Sequence, residues 1–104
     1  MTTFDERENA FENKFAHDEE LKFKAAARRD KLAGLWAAGL LGKSGAEADA
    51  YARSVVIADM EEAGDEDVVR KLASDLGAKA DEATIRAKLA ECFAEAKRQI
   101  MTES

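Results

Sequence analysis

Phe4, Phe11 and Phe15 are spaced i, i+7 and i+11, which on an α-helix puts all three within an arc of roughly 40°. Between them stand charged or polar residues: Asp5, Glu6, Arg7, Glu8, Asn9, Glu12, Asn13 and Lys14. The chemistry open to such a stripe is recognition. A narrow row of aromatic rings on a mostly acidic helix suits insertion into a groove of another protein. Arg7, Lys14 and His17 share the segment and are candidates for polar contact with that partner. His17 is the only histidine and stands beside Asp18, Glu19 and Glu20. Carboxylates this near favour the charged imidazole, which suits either a pH sensor or an exposed histidine without a role.

Catalysis has no comparable set of residues. No Ser/His/Asp or Cys/His constellation can be assembled around one histidine and one cysteine. Cys92 excludes a disulfide framework, and its spacing from Leu89 and Ala96 marks a small buried apolar residue. The stretch 37–44, AAGLLGKS, matches a relaxed phosphate-loop pattern with Ala in place of the first glycine. That motif needs a preceding strand and an open loop, whereas the preceding residues read as helix and Leu40-Leu41 fills the loop positions. A glycine stop followed by a serine start accounts for every residue. The sequence therefore points to a non-enzyme, with no cofactor and no metal site.

Burying three Phe side chains yields at most roughly 5–9 kcal/mol. Ordering fifteen backbone residues costs about 1–2 kcal/mol for each. The segment cannot hold a helix by that burial alone and needs a surface, its own domain or a partner. Were one helix to run from Phe4 to Leu41, the Phe stripe would sit roughly 80° from the stripe that begins at Leu21. That offset argues for a break between the two.

The elements that must carry this segment are helical. Proline is absent, Ala, Leu, Glu and Lys are frequent, and 37% of the residues are charged, so one small core must serve a well-solvated surface. Residues 1–18 read as an acidic arm. A long helix over 19–41 has core positions Leu21, Ala25, Leu32, Leu35, Trp36 and Gly39. Gly42 and Gly45 follow, and Ser44 with Glu47 forms a capping box. The second helix runs to about residue 63 and carries Ala48, Tyr51, Ala52, Val55 and Ala58 on one face, with Gly64 as its cap. Asp65 caps a third helix with Val68, Val69, Leu72 and Leu76, which Gly77 ends. Asp81 starts a fourth, with Ile85, Leu89, Cys92, Phe93, Ala96 and Ile100 inward. Trp36 and Tyr51 are expected in the core. The expected architecture is all-α: an antiparallel four-helix bundle over 19–104 with a flexible amphipathic N-terminal arm over 1–18.

The net charge of −6 is uneven. Residues 1–20 hold seven acids against two bases, while Lys22, Lys24, Arg28, Arg29 and Lys31 face only Asp30 within 21–31. An acidic chain is a poor binder of nucleic acid. The basic block reads as a solvated helix face. The N-terminus lacks an apolar run, and 33–41 is far too short to span a bilayer, so no membrane insertion and a cytoplasmic location are expected.

The segment 4–24, FDERENAFENKFAHDEELKFK, together with Arg28-Arg29, Leu35-Trp36-Ala37-Ala38 and Leu41-Gly42, resembles the ζ subunit of α-proteobacterial F-type ATP synthases. The resemblance covers essentially the whole chain. It implies a four-helix bundle whose mobile N-terminal arm enters the catalytic head between the α, β and γ subunits and blocks ATP hydrolysis. It also implies a protein peripheral to the inner membrane through that enzyme. By position, Phe4, Phe11 and Phe15 are the apolar contacts, with Arg7, Lys14 and His17 beside them. The connection around 77–81 is shorter than in relatives, and Gly39 is unusual. Two other readings are carried forward: a regulatory module that binds ADP or ATP weakly through the bundle and the block at 22–31, and a plain assembly subunit.

Overall fold

The computed structural model describes residues 18–61 and 65–103. Helix α1 spans Glu19–Leu40, α2 Gly45–Glu61, α3 Glu66–Leu76 and α4 Glu82–Glu103, with a single 3-10 turn, Gly77–Lys79, after α3. There is no strand among these residues. The architecture is the expected antiparallel four-helix bundle.

Local chemistry sets the helix ends. The Asp18 carboxylate accepts the Leu21 amide at 3.1 Å, and Glu19 and Glu20 occupy the positive first turn of α1. At the other end, the Lys43 amide donates back to the Ala38 carbonyl at 2.8 Å and the Gly42 amide to Gly39 at 3.2 Å. Gly42 closes this reversal at φ +78°, a left-handed conformation that costs glycine little. The Glu47 amide donates to the Ser44 backbone carbonyl at 3.2 Å rather than to its hydroxyl as the expected capping box has it, and α2 starts one residue past Ser44. Asp81 caps α4, its carboxylate accepting the Thr84 amide at 2.8 Å. Gly64 lies outside the described residues.

Helix α1 is the centre of the bundle, packing against α2, α3 and α4. Its buried residues are Ala25, Arg29, Asp30, Ala33, Gly34, Ala37 and Ala38. Leu21, Leu32, Leu35 and Trp36 are only half-buried, and Gly39 is exposed rather than in the core. The reason is the approach of α2. A Cβ built on Gly34 would lie 2.7 Å from the Ala52 Cα. Two backbones this close leave room only for Gly and Ala, so the small residues take the deepest face and the large ones line its edges. The phase argument drawn from the leucines therefore fails. On a straight helix Phe4, Phe11 and Phe15 would lie roughly in the direction of Arg29 and Ala33, inside the buried arc.

The main core joins Ala33, Ala37, Val55, Val68, Val69, Leu72, Leu76, Ile85, Leu89 and Cys92, with Leu32, Trp36 and Tyr51 packed on its rim. The core faces expected for α3 and α4 are those observed. Phe93 does not join that core. It packs with Ala25, Ile100, Leu21 and Met101 in a second cluster. Trp36 and Tyr51 are half-buried because each keeps a polar neighbour at the surface. The Lys88 ammonium lies 5.9 Å from the Trp36 ring, and the Tyr51 hydroxyl donates to Asp75 at 2.8 Å.

The two helical glycines of α1 should respond oppositely to a methyl group. Gly34→Ala must push α2 away, at about 1–3 kcal/mol, which exceeds the gain in helix propensity of roughly 1 kcal/mol. Gly39→Ala meets nothing within 4 Å, so it should be neutral or stabilise by up to about 1 kcal/mol. Urea unfolding of the two variants checks the sign of each change.

Candidate functional site

Phe4, Arg7, Phe11, Lys14, Phe15 and His17 all lie outside the described residues. The described residues that follow them hold a buried charge cluster and surface grooves.

The cluster overturns the solvated-face reading of the basic block. Lys22, Lys24 and Lys31 are exposed, but Arg29 is 5% exposed and Asp30 fully buried. Adjacent residues point about 100° apart on a helix, so the two together lie within the broad buried arc of α1. Arg29 Nε and Nη2 donate to Asp30 Oδ1 at 3.0 and 2.9 Å. Nη1 donates to Asp65 Oδ1 at 2.9 Å, and Nη2 reaches Asp59 Oδ2 at 3.4 Å. The Phe93 ring lies 5.5 Å from the guanidinium. One cation thus joins α1, the last turns of α2, the residue that precedes α3, and a ring of α4. This also corrects the role of Asp65. Its side chain makes no capping bond to α3 and serves Arg29 instead, while its carbonyl accepts the Val69 amide at 3.1 Å.

Burial opposes the charge on Arg29, but Asp30 and Asp65 more than offset it and raise its pKa. Asp30 moves the other way from most salt-bridged acids. Burial first, then the neighbouring Asp59 carboxyl, push it up to about 8 against the pull of Arg29. Its Oδ2 has no hydrogen-bond donor among the described residues.

The peripheral ties are ordinary surface pairs. Arg86 on α4 holds Glu66 and Glu82, each at 3.0 Å, and Lys71 joins Tyr51 on Asp75 at 3.0 Å. Such pairs contribute little each.

One groove, of about 480 Å³, runs between α1 and α2, with Glu20, Phe23, Lys24, Arg28, Lys31 and Val56 among its walls. Phe23 is 58% exposed there, and Ile57 and Met60 are exposed elsewhere on α2. The other, of about 500 Å³, lies between α1 and α4, with Leu32, Trp36, Lys88, Cys92 and Arg98 among its walls. Burial raises the Cys92 thiol pKa, so this cysteine is poorly disposed to act as a nucleophile. Among the described residues no group of His, Cys, Asp and Glu is arranged to hold a metal ion, and no helix is long and apolar enough to cross a membrane.

These features define a small all-α protein that presents binding surfaces and assembles no catalytic constellation among its described residues. The chain belongs to the family described as ATPase inhibitor subunit zeta, which matches residues 1–99 and so includes the Phe segment. Solved structures match as well. One, a protein whose structure was determined by solution NMR, is 58% identical, covers 81% of this chain and 99% of its own, and superimposes with a TM-score of 0.75. Among curated proteins no match is found.

Removal of the central cation should be far more damaging than removal of a surface one. Arg29→Ala takes the shared donor away from Asp30, Asp59 and Asp65, and with hydrogen bonds to a charged group contributing about 1.5–3 kcal/mol each, a loss of about 3 kcal/mol or more is expected. Arg70 only meets Asp67 at 2.8 Å on the surface, so Arg70→Gln should cost no more than about 0.5 kcal/mol. Denaturant midpoints of the two variants, measured at pH 7, provide the comparison.

Proposed function

We propose that the chain inhibits ATP hydrolysis by F-type ATP synthase, with residues 1–18 as the inhibitory arm and 19–104 as the domain that carries it. The arm enters the catalytic head between the α, β and γ subunits. Phe4, Phe11 and Phe15 are its desolvated anchors, and Arg7, Lys14 and His17 make polar contacts around them. A helix lodged between subunits that must move past one another stops the cycle sterically, with no chemistry required of the arm. In this reading the chain is cytoplasmic and meets the inner membrane only through the synthase.

The observation that carries this reading is the family match running through residue 1. The fold supports it. Among the described residues, two hydrophobic clusters draw on all four helices. Three large aromatic side chains on a polar segment are suited to serve a partner.

Inhibition should depend on the rings rather than on the acidity of the arm. Truncating a buried aromatic anchor costs about 2 kcal/mol or more. If two such losses add, Phe11→Ala with Phe15→Ala weakens inhibition by a factor of roughly 10³. Glu8→Gln and Glu12→Gln should change it only several-fold, more at low salt. The melting temperature should stay at the parent value throughout. ATPase assays of the catalytic head, titrated with each variant, read the first effect, and thermal melts read the second. Parent-like inhibition by the double Phe variant removes the stripe from the mechanism, and a large drop in melting temperature assigns it to the core of the domain.

A second reading rests on the groove between α1 and α2. An exposed Phe23 ring beside Lys24, Arg28 and Lys31 offers stacking and cationic contacts in a volume within the usual range for small ligands. Weak binding of ADP or ATP there is compatible with inhibition. Titration of the full chain with either nucleotide should shift the amides of Phe23, Lys24 and Lys31, and Lys24→Glu should suppress the shifts. Silent amides at millimolar nucleotide eliminate this reading.

A further inference from the structure

We infer that Arg29, Asp30, Asp59 and Asp65 form a proton-operated clasp, in which a proton held between Asp30 and Asp59 lets α1 bind the end of α2 and the start of α3, and whose loss loosens that hold. The inference stands on the arrangement of the four side chains and is independent of what the N-terminal arm does.

The donors available to Asp30 do not suffice for an ionised carboxylate. Arg29 directs Nε and Nη2 to Oδ1, while Oδ2 is buried with no donor among the described residues. The remaining nitrogen of the guanidinium, Nη1, points to Asp65 at 2.9 Å. With all three acids ionised, three negative charges would share one positive charge, and Asp30 would be without solvent. A buried acceptor left unpaired and a like charge beside it are both costly. Protonation of Asp30 at Oδ2 removes both penalties, because the carboxyl then donates a hydrogen bond and the Asp59 carboxylate beside it accepts.

The other charged groups around the site do not supply the missing donor. From α2 the cluster meets Asp59, and from the residue ahead of α3 it meets Asp65. From α4, Arg86 lines the small cavity beside Arg29, but Glu66 and Glu82 hold its guanidinium. Lys97 of α4 lies over the Phe93 ring at 4.6 Å. The upward shift of Asp30 to about 8 agrees with this geometry.

The sign of the pH effect follows. An unfolded Asp releases its proton near pH 4, whereas the folded clasp keeps it to about 8. Between those values the native state binds more protons than the unfolded state, so the Asp30 contribution to stability falls as pH rises through this window and is constant above it, where the buried Cys92 thiol of α4, held above its ordinary pKa, adds a fall of its own. The loss approaches a tenfold change in the folding equilibrium constant per pH unit. Glu66, Asp75 and Asp81 do not confuse the measurement. Arg86 holds Glu66 low, Tyr51 and Lys71 hold Asp75 low despite its burial, and Thr84 holds Asp81 low, so their contributions change only in acid.

The test is a carbon-13 titration of the side-chain carboxyls in the full chain from pH 3 to 10. Asp30 is expected to titrate near 8, and Asp59→Asn is expected to lower that midpoint by removing the neighbouring charge and offering an N–H donor to the ionised Asp30. Amide protection of Val68 and Val69 should fall between pH 6 and 9 in the parent. Asp30→Asn, whose amide both donates and accepts, should hold that protection constant over the same range. If Asp30 titrates below pH 5, the clasp holds no proton and the inference is overturned. It is equally overturned if Asp30→Asn folds and keeps the parent's pH dependence. Should Asp30→Asn not fold, the carboxyl titration of the parent decides alone.

Discussion

The bundle is organised around one buried guanidinium. Arg29 is the only basic residue among the buried positions of the described residues, and through it α1 reaches the last turns of α2, the residue ahead of α3, and Phe93 of α4. A hydrophobic core is tolerant of small shifts in register, but a buried ion cluster is not. A guanidinium displaced by one helical position would leave Asp30 without its donors. Buried ion pairs are weak evidence for stability and better evidence for a fixed arrangement. Here the arrangement fixed is that of the α2–α3 corner on the central helix.

The second constraint is the closeness of α1 and α2 at Gly34 and Ala52. Alanines at 25, 33, 37 and 38 and the glycine at 34 make α1 thin enough to be enclosed on several sides. Enclosure widens the buried arc of α1, which takes in Arg29 and Asp30 together. The leucines and Trp36 are displaced to the rim, where Leu32 and Trp36 line the groove between α1 and α4 and the edge of the main core and Leu21 packs on the second cluster. A rigid centre with apolar and basic rims is a suitable platform for a segment that acts at a distance from it, and the family to which the chain belongs is one of ATPase inhibitors.

Much of the fold was legible in the sequence. Gly42, Gly45, Gly77, Ser44 and Asp81 carry conformational or capping signals that act locally, and the helix boundaries fall where they stand. The faces of α3 and α4 were legible because Val, Leu and Ile repeat at the helical period. The centre was not. Alanine is found equally well at a surface and in a core, so an Ala-rich helix does not declare its buried side, and the larger leucines pointed to the wrong one. Arg29 was hidden for a different reason. Its partners Asp59 and Asp65 are distant in the chain, and no local pattern distinguishes it from Arg28. Asp65 was read as a cap because a cap is a local role, and its long-range partner prevailed. The candidate partner-binding residues were reached from aromatic spacing and resemblance, and they lie outside the described residues.

The central claim, that the N-terminal segment reaches the interior of the catalytic head, is tested most directly by photo-crosslinking. A photoreactive phenylalanine analogue is placed at position 15 of the full chain, and a second sample carries it at position 23 on α1. Each is mixed with the catalytic head during ATP hydrolysis, and the adducts are identified by mass spectrometry. The account predicts that position 15 crosslinks to interior surfaces of the α, β or γ subunits only while hydrolysis is inhibited, and that position 23 gives no interior adducts. Interior crosslinks from position 23 with none from position 15, or inhibition without any adduct from position 15, would contradict it.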